Sequence, residues 1–199
     1  MTNTLVPTVS ALDRLKRTAQ RSSLDELVTA KTKRSLLLVD VSGSMDNWTK
    51  AGERKIDALR KVVDKLRSTH PVPMAAFGLE GGQRHNRQSV ALIETIPEPS
   101  GMTPLAEAID FGRMQEANHL IVVTDGYPDS AERAFEAADR FANPIDVFFI
   151  GDEGDSGAKF CAELAKRAKG QCGVTDLTGE PKQLAGKIIA LLGDGSEVL

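Results

Sequence analysis

A chain of 199 residues is long enough for one ordinary domain and leaves little room for a second. Its hydrophobic fraction of 41%, with a single Trp and a single Tyr, points to an aliphatic core of Leu, Ile, Val and Ala. A formal charge of −3 argues against a general nucleic-acid binder, and no apolar run approaches the roughly 20 residues of a membrane span.

The charge is unevenly spread. Residues 1–34 hold seven Lys/Arg (Arg14, Lys16, Arg17, Arg21, Lys31, Lys33, Arg34) against Asp13, Asp25 and Glu26, and this local +4 leaves −7 for the rest of a chain that totals −3. A basic arm on an acidic body suits self-docking or a second partner, with a solvated helix face as the plainer explanation. Cys161 and Cys172 offer no disulfide framework, and the opening MTNTLVPTVS lacks the pattern of an export signal. A soluble, cytoplasmic protein is the expectation.

In chain order, residues 1–33 read as a helical extension, with helices near 9–20 and 23–30 capped by Ser10 and Ser23. Residues 35–41 (SLLLVDV) are continuously aliphatic, as in a strand covered on both faces. Over 49–68, Ile56, Leu59, Val62, Val63 and Leu66 recur at helical spacing. Residues 72–79 predict a strand, Gly81 and Gly82 a turn, and 88–94 a strand antiparallel to its predecessor, since only a short turn separates them. Pro104 opens a helix running to about Glu116, a position where its missing N–H costs nothing. Then follow a strand at 119–124 (HLIVVT), a helix at 130–141, a strand at 145–150 (IDVFFI), a helix at 158–168, a weaker strand at 172–176 and a helix at 181–192. Strands alternating with helices imply parallel β-α-β units in a doubly wound α/β domain, placed at 34–193 and followed by a flexible tail at 194–199.

In such sheets ligands bind beyond the carboxyl ends of the strands, at a switch point of strand order. After the first strand comes Asp40-Val41-Ser42-Gly43-Ser44; before the Pro104 helix comes Gly101-Met102-Thr103; after the most apolar strand comes Thr124-Asp125-Gly126. With Thr124 left inside its strand, the three segments supply two carboxylates and three hydroxyls. Positions 40, 42 and 44 of an extended or looping segment can project to one side, and Gly43 allows a tight turn. An all-oxygen set suits Mg²⁺, Mn²⁺ or Ca²⁺ and gives no advantage to zinc or copper. Two carboxylates cannot fill an octahedral shell, so Mg²⁺ would keep waters and one open position, which invites a carboxylate from a partner.

Asp40-x-Ser42-x-Ser44, then Thr103, then Asp125, with flanking GMTPL and VVTDG, resembles the metal-ion-dependent adhesion site (MIDAS) of the von Willebrand factor A family. The resemblance covers about residues 34–192. It implies a central, mostly parallel six-stranded sheet with one antiparallel edge strand and flanking helices. It also implies that Ser42 and Ser44 bind the metal directly and Thr103 directly or through water. Asp40 and Asp125 would act largely through waters and hydrogen bonds to the serines, and a Glu or Asp of a protein ligand would complete the shell. Similar stand-alone domains often work as adaptors beside an ATPase of the AAA+ type.

Each residue also has a plainer reading. Ser42 and Ser44 can cap turns, and Asp125 with Gly126 can be a simple turn. Asp46, Asn47 and Asp129 read as solvated loop residues, with a second ion or ligand tuning as the sharper option. Residues 151–155 (GDEGD) read as an acidic loop at the same edge. Trp48 is either an exposed interface anchor or a helix-entry residue packed on the core. His70, His85 and His119 show no metal-ligand spacing, and both cysteines read as small apolar residues. No nucleophile elbow or Walker A pattern is present, and 78–82 (GLEGG) is no dinucleotide fingerprint. The expectation is therefore a non-enzymatic adaptor or scaffold. The best rival is a Mg²⁺-dependent phosphotransferase or phosphatase using Asp40 as nucleophile, which would want a second nearby Asp and a positioned Lys.

Overall fold

Successive side chains of a strand point to opposite faces, so a strand covered on both sides must be apolar at every position. Strand β1 (Ser35–Asp40) is of that kind, with Leu36, Leu37, Leu38 and Val39 all buried. The computed structural model describes residues 33–50, 52–79, 89–151, 154–175 and 181–193. The expected helices at 9–20 and 23–30, the Gly81–Gly82 turn, His85 and the tail at 194–199 lie outside them.

After β1 and a 3-10 turn (Gly43–Asp46) come α1 (Lys55–Thr69), β2 (Met74–Phe77), β3 (Val90–Leu92), α2 (Leu105–Met114) and β4 (His119–Thr124). The chain continues through α3 (Ala131–Phe141), β5 (Ile145–Ile150), α4 (Ser156–Arg167), β6 (Cys172–Thr175) and α5 (Pro181–Gly193). Among the described residues the strands form one six-stranded sheet in the order β3-β2-β1-β4-β5-β6. Only β3 runs antiparallel, against β2; the other pairings are parallel. This is a doubly wound α/β fold, mostly parallel with an antiparallel edge strand.

The two cores follow from the alternation. Leu36, Leu38, Leu120, Val122, Val147 and Phe149 pack with α2, α3 and α4. Leu37, Val39, Ile121, Val123, Phe148 and Ile150 pack on the opposite face with α1 and α5. Residues Arg34–Asp194 form one compact unit. Among the described residues no helix is long and apolar enough to cross a membrane.

Two boundaries depart from the sequence reading in ways that matter. Helix α1 begins at Lys55 rather than near Thr49, because Trp48 and Arg54 pair as a small antiparallel bridge and the Thr49 N–H and hydroxyl both bond the Glu53 carbonyl, at 2.7 and 2.9 Å. Side chain-to-backbone bonding of this sort competes with helix at Thr. Pro104, for its part, is the N-cap of α2 rather than its first helical residue.

The switch in strand order falls between β1 and β4, the two central strands. From β1 the chain proceeds to β2 on one side, and β4 opens the other. The crevice beyond the carboxyl ends of that pair is where this architecture places ligands.

Candidate functional site

Asp40 ends β1 and is fully buried. A buried carboxylate must be hydrogen-bonded or neutral, and Asp40 is bonded at both oxygens. The Ser42 N–H donates to Oδ1 at 2.8 Å and the Thr124 hydroxyl to Oδ2 at 2.5 Å. Burial pushes this carboxyl from 3.8 up to about 6, against the lowering pull of the Thr124 and Ser42 hydrogen bonds, and the charge of Asp125 adds to the rise.

From Ser42 the polar chain continues outward. Its Oγ lies 3.0 Å from Ser44 Oγ, and the Ser44 hydroxyl donates to Asp125 Oδ1 at 2.7 Å. The other oxygen of Asp125 accepts from the Lys55 ammonium at 2.6 Å. Four of the five sequence-predicted site residues, Asp40, Ser42, Ser44 and Asp125, are thus linked in one hydrogen-bonded array.

Thr103 is positioned by its backbone, through Asp129 rather than through that array. Its N–H donates to the Asp129 carboxylate at 2.7 Å, and its carbonyl accepts from the Asp129 N–H at 3.0 Å. The loop carrying it is laced to the first loop by Gly43 N–H to the Gly101 carbonyl at 3.2 Å, and by Ser100 N–H to the Val41 carbonyl at 2.7 Å. Gly78 permits this convergence. Its φ is +93°, and a Cβ there would lie 2.8 Å from both Ser42 N and the Met102 carbonyl oxygen, a contact with backbone on two sides that no side chain could relieve.

Several sequence expectations change here. Asp129 is not merely a solvated loop residue, since it clamps the Thr103 loop. Asp46 pairs with Arg54 at 2.9 Å. Trp48 is 71% exposed, which decides against packing on the core. His119 is buried between Ser35 and Asp146. Cys161 and Cys172 are both free, and burial pushes the Cys161 thiol up to about 12, so it behaves as an apolar residue. Of the acidic loop, Asp152 and Glu153 lie outside the described residues.

Lys55 and Thr124 are the site residues that sequence reasoning missed. Thr124 is part of a strand, yet its hydroxyl turns to Asp40. Lys55 carried one faint signal: a cation in the first turn of a helix opposes the helix dipole. With the helix expected to begin at Thr49, that signal vanished.

The donor set is oxygen throughout, which is the chemistry of a hard divalent cation, and one of its oxygens, Asp125 Oδ2, already holds a cation, the Lys55 ammonium. The residues therefore fit a metal of that class. Among the described residues no group of three or more His, Cys, Asp or Glu side chains is placed to hold a metal, so any metal centre here depends on hydroxyls.

No protein-family model matches the chain, and no curated protein matches it in sequence. Solved structures similar in fold include the response regulator domain of Thermotoga maritima CheB, 10% identical at a TM-score of 0.42, with 84% of this chain and 99% of that chain covered. A response regulator protein from Burkholderia multivorans is 13% identical at a TM-score of 0.39, with 84% and 100% covered. At such identities these are likenesses of α/β architecture alone.

Proposed function

We propose that this chain is a divalent-metal-dependent protein-binding module, an adaptor or scaffold of the von Willebrand factor A kind whose MIDAS is formed by Asp40, Ser42, Ser44, Thr103 and Asp125. The observation that carries this reading is the continuous array from Asp40 through Ser42 and Ser44 to Asp125, with an ammonium at its outer end. Ser42 and Ser44 would hold the ion by their hydroxyls, with Thr103 beside them, while Asp40 and Asp125 orient those hydroxyls. Mg²⁺ suits the set best, with Mn²⁺ or Ca²⁺ as substitutes. When bound, the ion supplies an electrophilic position for a carboxylate of the partner.

The surroundings favour a macromolecular ligand. Among the described residues five large apolar side chains are exposed, and three of them, Trp48, Met102 and Tyr127, lie one on each of the three site loops. Trp, Tyr and Met are among the residue types enriched at protein interfaces. The partner is thus a protein segment presenting Glu or Asp with apolar neighbours. The resemblance points further to a complex built around an AAA+ ATPase, and the free cysteines suit a reducing cytoplasm.

The phosphotransferase reading gains from the second carboxylate and the lysine that stand at this edge, Asp125 and Lys55. It fails on access. Asp40 is fully buried with both oxygens engaged, whereas phosphoryl transfer needs an in-line approach to a free oxygen lone pair.

Calorimetric titration with Mg²⁺ tests it. Wild type should take up the ion and Ser44→Ala should not; proteins captured by wild type in Mg²⁺ should be lost in EDTA and with Ser44→Ala. Absence of Mg²⁺ and Mn²⁺ uptake by the wild-type chain would sink the proposal.

A further inference from the structure

We infer that Lys55 is the resting cation of this site: its ammonium neutralises Asp125 beside the serine hydroxyls that would hold a divalent ion, and metal binds by displacing it. The inference rests on the metal-site reading above and adds a determinant of affinity that no motif position contains.

The geometry is that of a competitor. Lys55 Nζ lies 2.6 Å from Asp125 Oδ2, while Oδ1 of the same carboxylate accepts the Ser44 hydroxyl. The Asp125 side chain is 0% exposed and that of Lys55 18%. The acid is therefore sealed, and the base reaches it along a stem that borders solvent. An unpaired carboxylate in so dry a place is costly, so the folded chain needs a cation there. Lysine suits a removable one, because its ammonium is a strongly hydrated point charge on a flexible stem, without the bidentate grip of arginine.

The lysine is held at this spot by its backbone. Its N–H donates to the Asn47 carbonyl at 3.0 Å, which fixes the first residue of α1 against the loop that carries Ser42 and Ser44. A cation at a helix N-terminus is unfavourable in itself, so Asp125 is what retains the ammonium. Once a divalent ion sits on the serine hydroxyls beside Asp125, its charge replaces that of the ammonium, and mutual repulsion drives the ammonium out to water.

The two cations then bind in competition, and linkage makes the effect reciprocal. Removing the ammonium should tighten Mg²⁺ binding by a factor within about 5–150, the usual range for coupled sites. Wild-type affinity is correspondingly damped, so that the site fills only where Mg²⁺ is plentiful.

The experiment uses the full chain with Lys55→Met, which keeps most of the stem and drops the charge, and Lys55→Gln as a second variant retaining a donor to Asp125. Mg²⁺, and separately Mn²⁺, is titrated by calorimetry at fixed ionic strength, and melting is recorded with and without Mg²⁺. Both variants should melt below wild type in EDTA, bind Mg²⁺ at least about 5-fold more tightly, and gain more Tm from saturating Mg²⁺. Lys61→Met is the charge control: Lys61 pairs with Glu53 on the surface, its side chain 61% exposed, and its loss should leave Kd within about twofold. Equal or weaker Mg²⁺ binding by the Lys55 variants overturns the inference while leaving the metal site standing. So does an equal gain in Lys61→Met, which would mark a net-charge effect. If neither wild type nor any Lys55 variant takes up Mg²⁺ or Mn²⁺, the reading of the site itself falls.

Discussion

The parallel sheet buries polar side chains at both of its ends, and the two sets differ in kind. At the amino end, Ser35 Oγ and His119 Nδ1 share a hydrogen bond of 2.8 Å, His119 Nε2 meets Asp146 Oδ2 at 2.7 Å, and Asp146 Oδ1 accepts the Gln171 N–H at 2.6 Å. Its side chains belong to strands β1, β4 and β5, and Gln171 directly precedes β6. At the carboxyl end, Asp40, Ser42, Ser44 and Asp125 lie at a strand end and on loops, two of them acids, and their cation comes from a helix. The amino-end array ties neighbouring strands to one another, and its product is register. The carboxyl-end array closes only by borrowing Lys55. A polar cluster that needs an imported charge is one that can exchange it, and this separates a site from a strap.

The largest effect should come from cutting the strap. Asp146→Ala leaves the buried His119 ring and the Gln171 N–H without this acceptor, and stability should fall by about 1–3 kcal/mol for each donor left unsatisfied. Urea denaturation measures it. Asp146→Asn, which keeps an acceptor for Gln171, should lose less. Mg²⁺ affinity of either folded variant should match wild type. A large change in that affinity would show that the two ends of the sheet are coupled.

The next effect is at the other end and runs the opposite way. Asp40 has a folded-state pKa of about 6, above its ordinary 3.8, chiefly because of burial. The native state therefore binds the extra proton between those values, and stability falls as pH rises from about 4 to 6, with the full cost present above that window. Asp40→Asn preserves an acceptor for the Ser42 N–H and removes that cost. In EDTA at pH 8 the variant should be more stable than wild type by up to about 3 kcal/mol, from 1.36 kcal/mol per pKa unit. At pH 4 the difference should vanish, while Mg²⁺ uptake should be lost throughout. Paired urea titrations at the two pH values decide it; a variant less stable than wild type at pH 8 would mean that Asp40 is satisfied as an anion.

Most of this architecture was legible in the sequence, because buried parallel strands are written as unbroken aliphatic runs. HLIVVT and IDVFFI became β4 and β5 residue for residue. The shorter edge strand β3, with Leu92 exposed, lacks that signature, and of the expected residues that are described, 89–94, only Val90–Leu92 are strand. The convergence of the three loops was also legible, since strand ends and a helix start mark them. What escaped were contacts that depend on orientation: the Thr124 hydroxyl turning from its strand to Asp40, Asp129 clamping Thr103, and Lys55 reaching Asp125 from 70 positions earlier. Side-chain type and spacing cannot encode those, because each depends on where a different element starts.

The smallest change in stability, and the sharpest separation of binding from folding, should come from Trp48→Ala. Trp48 follows the serine loop and is 71% exposed, with its backbone held through the bridge to Arg54. Truncating an exposed side chain outside the hydrogen-bonded array should leave stability within about 0.5 kcal/mol of wild type, and Mg²⁺ titration should be unaltered. Affinity for the partner should nonetheless drop by about 2 kcal/mol or more, roughly thirtyfold, if the indole fills a pocket as interface tryptophans do. Such a variant would dissect the site into an ion-binding centre and an apolar rim, each necessary for capture. Undiminished capture by Trp48→Ala, with Ser44→Ala inactive, would instead place all of the recognition on the carboxylate and strip the rim of its role.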